Sequence, residues 1–310
     1  MGRTKKGYIN KRRLTKWATL ITAAVCLLLW GLDKAGVISY RELMVGLGLA
    51  DKPATSADCS VHFIDVGQGD STLVICDGEA MLIDAGETDQ GDTVVSYLKA
   101  QNVTKLTYVI VTHQHSDHMG GMKDVLENFT VKKLIMPKMP DALVPTGAVY
   151  ENLLTTIADK GLKITAATDT SFSLGSATVE TFTAKGDYDD LNNYSVVTKI
   201  TDGDNSFLIT GDCEKPEEAE LMNAGFDLSA KVIKVGHHGS STSSGTDFLK
   251  AVSPRYAVIS VGAGNSYGHP ADTTVSNLNK FVSALYRTDL NGTVVFESDG
   301  AGLNVITEKG

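Results

Sequence analysis

Thr112-His113-Gln114-His115-Ser116-Asp117-His118 follows directly on Tyr108-Val109-Ile110-Val111, an apolar run with strand character. Three imidazoles and a carboxylate within six residues, at a strand's C-terminal end, form a metal-ligand constellation. Three of the chain's seven histidines fall in this loop, more than chance supplies to a solvated polar turn. Strand alternation aims His113 and His115 one way, and the turn at Asp117-His118 presents a second pair. Two clustered pairs suit a dinuclear site better than a single tetrahedral zinc.

Downstream, two further apolar runs end in ligand-type residues. Ser206–Thr210 leads to Gly211-Asp212, whose carboxylate could bridge two cations. Taken alone, that aspartate equally suits the cap of the helix opening at Glu214-Lys215-Pro216. Val232–Val235 leads to Gly236-His237-His238-Gly239-Ser240-Ser241, where the glycines allow close backbone approach to a ligand. Spacing does not separate His237 from His238 as the ligand. Ser240 and Ser241 could donate hydrogen bonds to substrate, or form a plain turn. Tyr267-Gly268-His269-Pro270 places a histidine in a proline-stiffened turn, either facing substrate or on a surface loop. His62, inside a strand, reads as a hydrogen-bonded core residue.

The same alternation of short β-rich runs and single helices extends through the chain. Strands are read at Val61–Val66, Thr72–Cys76, Met81–Ile83, Leu106–Val111 and Lys133–Met136. In the second half they fall near Ser195–Ile200, Ser206–Thr210, Lys231–Val235, Tyr256–Val261 and Thr293–Glu297. Helices fit Thr93–Ala100, Pro216–Asn223, Thr246–Ala251 and Thr274–Leu285. This order predicts an α/β fold of mixed sheets covered by helices. Cys59 and Cys76 flank a hairpin and either form one disulfide or stay as buried thiols.

The chain has 310 residues, 42% hydrophobic and 21% charged, which excludes disordered, collagenous and disulfide-scaffold classes. Its net charge of −9 averages two unlike pieces. Up to Asp58 ten Lys/Arg face four Asp/Glu; from Cys59 onward 18 face 33. A domain that acidic lacks the broad basic surface of a non-specific nucleic-acid binder. Residues 1–16 form a basic tail, and residues 17–32 run uncharged between Trp17 and Leu32. At ~1.5 Å per residue they give roughly 24 Å of helix, slightly short of the hydrocarbon core. The basic flank predicts a single-pass N-terminal anchor, cytoplasmic tail and everything after Leu32 outside the membrane. A cleaved signal peptide would leave the domain secreted instead, but Leu32-Asp33-Lys34 is a poor cleavage context. Residues 33–58 read as a linker and residues 59–310 as the working domain.

The ordered motifs identify a family. His113-x-His115-x-Asp117-His118, with Asp84 upstream and Asp212 and His238 downstream, resembles the metallo-β-lactamase superfamily. More narrowly, Asp65-Val66-Gly67-Gln68-Gly69-Asp70-Ser71, Leu82-Ile83-Asp84-Ala85-Gly86, His237-His238-Gly239-Ser240 and Tyr267-Gly268-His269-Pro270 resemble the ComEC-type competence hydrolase domain. Cell-wall phosphorylcholine esterases are similar. The resemblance implies an αββα sandwich with two divalent ions, zinc or manganese, between the sheet edges. It implies that His113 and His115 hold one ion, that Asp117, His118 and His238 hold the other, and that Asp212 bridges. His237 would then face substrate, Asp84 would orient the histidine loop, and Asp65 and Asn193 would support the ligands from behind. Many superfamily members carry another histidine between the loop and the bridging aspartate. This chain has none, only Asn192-Asn193-Tyr194-Ser195 and nearby aspartates.

The expected activity is therefore phosphodiester hydrolysis by metal-activated water on DNA or a wall polymer. Asp117, His237 and His269 are the expected catalytic side chains, with Ser240, Ser241 and Tyr267 contacting substrate. A metallohydrolase of amide or thioester bonds and a non-catalytic, metal-stabilised binding module are the rival readings. Oligomeric state is not legible in the sequence.

Overall fold

The computed structural model describes residues 58–309. The basic tail, the apolar span and nearly all of the linker lie outside them. Among the described residues no helix is long and apolar enough to cross a membrane.

Among the described residues, fifteen strands form two sheets. The first half supplies β1 Cys59–Phe63, β2 Thr72–Cys76, β3 Glu79–Ile83, β4 Lys105–Ile110, β5 Thr130–Met136, β6 Ile164–Ala166 and β7 Thr170–Leu174. The second supplies β8 Ala177–Phe182, β9 Val197–Asp202, β10 Asn205–Ile209, β11 Val232–Lys234, β12 Tyr256–Ile259, β13 Ala284–Arg287, β14 Val294–Ser298 and β15 Leu303–Thr307. One sheet runs β15-β14-β1-β2-β3-β4-β5-β6 and the other β13-β12-β11-β10-β9-β8-β7. Each sheet is antiparallel at one end and parallel at the other, with β3 to β6 parallel in the first and β10 to β13 in the second.

Side-chain alternation divides the apolar residues into three layers. Leu73, Ala80 and Leu82 turn outward beneath helices α1 Gly91–Ala100, α2 Ser116–Met119, α3 Met122–Asn128 and α4 Ala148–Asp159. Their neighbours Val74, Met81 and Ile83 turn inward to meet Phe207, Ile209 and Val232 of the other sheet. Leu208 and Ile233 face the far side, against α5 Lys215–Asn223, α6 Thr246–Val252 and α7 Asp272–Leu278. The result is an αββα sandwich. A last short helix, α8 Thr288–Asn291, precedes β14.

Cys59 and Cys76 are cross-strand partners joined by a disulfide. His62 is fully buried, with Nδ1 at 2.8 Å from the Tyr97 hydroxyl and Nε2 at 2.9 Å from Ser60 Oγ. Burial takes its pKa down to about 3. The helix expected over Thr274–Leu285 is corrected. It ends at Leu278, and Ala284–Arg287 is the parallel edge strand β13 beside β12. The apolar run Phe281-Val282 falls between the two, so periodicity alone joined them.

One buried group on α5 has a measurable consequence. Glu217 is fully buried, and neither carboxyl oxygen makes a hydrogen bond; the nearby Cys213 thiol and Ser195 N–H favour its charge less than burial opposes it. Burial pushes its pKa well above the ordinary value of about 4.5. The folded chain therefore keeps a proton that the unfolded chain has released. Its contribution is complete below about pH 4.5 and is lost as pH rises toward the folded value. Thermal melts of Glu217→Gln should exceed wild type by several degrees at pH 8 and converge with it near pH 4. A variant melting lower at pH 8 would mean that the fold needs the charged carboxylate.

Candidate metal centre

The parallel strands of both sheets release their C-terminal loops toward one edge of the sandwich, the usual place for a site in α/β architecture. Asp84 ends β3 in a left-handed conformation, φ 60°, and is almost completely buried. Its Oδ1 accepts the Thr112 N–H at 2.8 Å; its Oδ2 accepts the Thr112 hydroxyl at 2.6 Å and lies 2.8 Å from His118 Nδ1. One carboxylate thus shapes the loop after β4 and turns His118 Nε2 toward the opposite sheet. The loop at 65–70 closes on the same place, with the Asp70 N–H donating to the Asp117 carbonyl at 3.1 Å. A Cβ on Gly69 would meet that carbonyl oxygen at 2.3 Å, so only glycine admits this approach.

Asp212 arrives from the other sheet. Its N–H donates to Ser195 Oγ at 3.1 Å, while the Val196 N–H donates to the Thr112 carbonyl at 2.9 Å. These contacts bring its buried carboxylate to His118, with Oδ1 at 3.2 Å from Nε2. It does not cap α5, whose N-cap residue is Glu214 and whose Glu217 N–H donates to Asn193 Oδ1 at 3.3 Å. His237 and His238 both adopt left-handed backbone conformations, φ 48° and 50°, a strain that functional loops often hold. The turn separates their roles geometrically. His238 is buried, its Nδ1 2.9 Å from the Ser260 carbonyl and its Nε2 3.1 Å from Asp117 Oδ2 and 3.5 Å from Asp212 Oδ2. His237 points into a cavity of about 310 Å³.

Asp117, His118, Asp212 and His238 each offer a ligand atom, all within 4.8 Å of one another. His118 Nε2 and Asp212 Oδ1 are buried there without a hydrogen bond. Burial alone would deprotonate His118 and His238, but Asp212 and the other carboxylates raise both well above the ordinary range. Burial likewise works against the Asp212 charge, and His118 and His238 reverse it, holding the carboxyl well below its usual range. This surplus of negative charge is what a divalent cation would neutralise, displacing the histidine protons. Two imidazole nitrogens and two carboxylates fit zinc or manganese.

The other pair lies alongside. His113 Nε2 is 3.0 Å from His115 Nδ1 and 4.0 Å from Asp212 Oδ2, so Asp212 stands between the two histidine pairs. Burial and the neighbouring His118 hold His113 well below its ordinary pKa, a neutral imidazole able to ligate. Asn192 lines the same cavity, and its buried Oδ1 has no partner. That amide oxygen could complete an ion at His113 and His115 where other superfamily members supply a histidine.

Tyr267 and His269 form one wall of the cavity, their rings stacked with centroids 5.9 Å apart. His269 Nδ1 has no partner, and its ring lies 5.3 Å from that of His237. Four expected residues stand elsewhere. Asp65 accepts the Gly67 N–H at 3.2 Å and pairs with Lys309 at 3.0 Å, because it precedes the turn that brings Asp70 inward. Asn193 faces away from the cavity, toward Glu214 and the Glu217 N–H. Ser240 Oγ bonds Thr242 at 2.9 Å, and exposed Ser241 lines a separate groove beside Lys215. Four contributors were not foreseen: Gln68, Asp70, Lys234 and Glu214. Glu214 Oε1 is 3.0 Å from His237 Nδ1, and that bond lowers the glutamate's pKa.

Residues 64–263 match the model of the metallo-β-lactamase superfamily. ComE operon protein 3 of Bacillus subtilis is 31% identical over 308 residues, covering 89% of this chain and 38% of that protein. Competence protein ComA of Neisseria gonorrhoeae is 31% identical over 264 residues, covering 84% and 34%. The chain thus spans little more than a third of these relatives' length. Among solved structures, CmlA, a diiron β-hydroxylase from Streptomyces venezuelae, superposes with a TM-score of 0.51 at 14% identity, over 87% of this chain and 59% of that one. Sandwich, ligand cluster and matched segment agree: the chain belongs to the metallo-β-lactamase superfamily and is similar, within it, to the ComEC-type competence proteins.

Proposed function

We propose that this chain is an extracytoplasmic phosphodiesterase, anchored by its N-terminal segment and acting on DNA or on a phosphodiester-containing wall polymer. The observation that carries the reading is the cavity in which Asp117, Asp212 and His238 meet His237, His269 and Tyr267. Ligand-type residues form its floor and proton-transfer groups its wall. With 33 acidic residues against 18 basic ones after Asp58, the domain needs cations to approach a phosphate. Two divalent ions, zinc or manganese, held by His113 and His115 on one side and Asp117, His118 and His238 on the other, with Asp212 between, would supply that charge and an acidified water. The Cys59–Cys76 disulfide supports a compartment outside the cytoplasm.

The remaining work falls to the chain's own groups. Glu214 holds His237 by Nδ1, so that Nε2, 3.9 Å from Asp212 Oδ2, turns toward the reacting phosphate. Asp117, partly exposed and in contact with His238, orients the attacking water, whose acidity the bound ions would supply. His269, on which burial, His237 and His238 disfavour a positive charge, takes up a proton once an anionic phosphate is bound and gives it to the leaving alkoxide. Gln68, whose Nε2 is buried without a partner while its Oε1 accepts the Gly262 N–H at 3.1 Å, offers a donor to a phosphate oxygen. Tyr267, 70% exposed, presents a ring face at the cavity mouth.

Metal-loaded protein should cleave bis-p-nitrophenyl phosphate and leave nitrocefin intact, with Asp212→Ala slower by at least about 10²–10³-fold. Single-stranded DNA and p-nitrophenyl phosphorylcholine assayed in parallel choose the polymer. Turnover of nitrocefin alone would sink the reading. His269→Ala should cost about 10²-fold or more on DNA, whose alkoxide leaving group needs a proton, and far less on nitrophenyl esters. Equal losses on both would remove His269 from the acid's role.

A further inference from the structure

Lys234 closes β11 where no charge is expected. Val232 and Ile233 before it and Val235 after it are fully buried, and so is Lys234. Strand alternation sets it on the face of Val232, between the sheets, at the end nearest the metal centre. Its Nζ touches the Asp70 carboxylate, donates to the Gly211 carbonyl at 3.1 Å and lies 4.0 Å from Asp212 Oδ1. Asp70 reaches the remaining ligands. Its Oδ1 lies 3.4 Å from His238 Nδ1, its Oδ2 3.9 Å from His118 Nδ1, and its N–H donates to the Asp117 carbonyl. Each of Asp117, His118, Asp212 and His238 is therefore approached by Lys234 or by its partner.

We propose that Lys234, acting with Asp70, is a further positioning residue of the metal centre, beside Asp84. Its ammonium is a built-in cation that holds the bridging carboxylate and, through Asp70, both imidazoles aimed at one point before an ion arrives. A buried ion pair is costly to assemble and is poor evidence of stability. What this one contributes is orientation, since groups behind metal ligands set both their direction and their affinity. The inference rests on the ligand assignment and is independent of which bond the protein cleaves.

The test titrates Mn²⁺ into the metal-free full chain by calorimetry, in wild type, Lys234→Met and the double variant Lys234→Met/Asp70→Asn. Lys234→Met should bind the ion at least about tenfold more weakly. The double variant leaves no unpaired buried charge and keeps both side-chain volumes, so it should fold, as a thermal melt will report. It should nevertheless remain at least tenfold weaker than wild type. Wild-type affinity in the double variant would make the pair a structural ion pair only. Tighter binding by Lys234→Met would mean that the ammonium merely repels the ion. Failure of the double variant to fold would make the pair a folding element, and each of these results overturns the proposal. Because the readout is metal affinity, failure of the phosphodiesterase reading leaves it intact.

Discussion

Asp70, Asp84, Asp117 and Asp212 converge on one edge of the sandwich, three of them almost entirely removed from water. Bringing like charges together in such a place is strongly unfavourable unless each is answered by a cation or a hydrogen-bond donor. The local structure supplies those answers. Asp84 takes two Thr112 donors and His118, Asp70 takes Lys234, and Asp117 and Asp212 take His118 and His238. This charge balance ties the loops of both sheets to one another. Divalent ions would complete it, because imidazoles released from their protons become ligands of the same ions as the carboxylates.

The fold makes that convergence possible by ending two sets of parallel strands at one edge. β3 and β4 deliver Asp84 and the histidine loop; β10, β11 and β12 deliver Asp212, the paired histidines and the Tyr267–His269 turn. The two sets meet where small residues permit it. Gly69 admits the Asp117 carbonyl, and at Gly211 an added Cβ would lie 2.8 Å from that of Thr112. The apolar layer between the sheets, from Phe63 to Phe296, keeps water from the back of the centre.

Much of this was legible in the sequence because strand-end polar residues after apolar runs are a strong local signal. The histidine loop, Asp212 and the paired histidines all carry it, and the structure brings them together. Asp70 was legible only as part of a glycine-rich motif, and Asp65, the carboxylate preferred there, turns outward to Lys309. A loop reversal between two aspartates five residues apart is decided by backbone turns at Gly67 and Gly69, φ 69° and 138°, which hydropathy does not encode. Lys234 did leave a trace, a charge inside Val232-Ile233-Lys234-Val235, but its partner is 164 positions away in sequence. Ser240 and Ser241 resembled phosphate donors by composition alone, and local hydrogen bonding took one of them while solvent took the other. The turn between Leu278 and Ala284 failed for a related reason: apolar residues continue through it, so helix and strand share one pattern.

Fold likeness by itself does not choose the chemistry. A diiron β-hydroxylase shares this sandwich at 14% identity, so only the residues lining the cavity can favour hydrolysis. Here the ligand set is uneven. His118 and His238 are locked from behind by Asp84 and by the Ser260 carbonyl, whereas on the other side half-buried His115 and the unpartnered amide oxygen of Asn192 would be needed to complete an ion at His113. A neutral amide oxygen donates less charge than an imidazole, so an ion held there keeps more of its own positive charge for a substrate oxygen. That imbalance suits a phosphodiester, whose oxygens carry charge before the reaction begins, better than an uncharged amide, whose oxygen becomes charged only on attack.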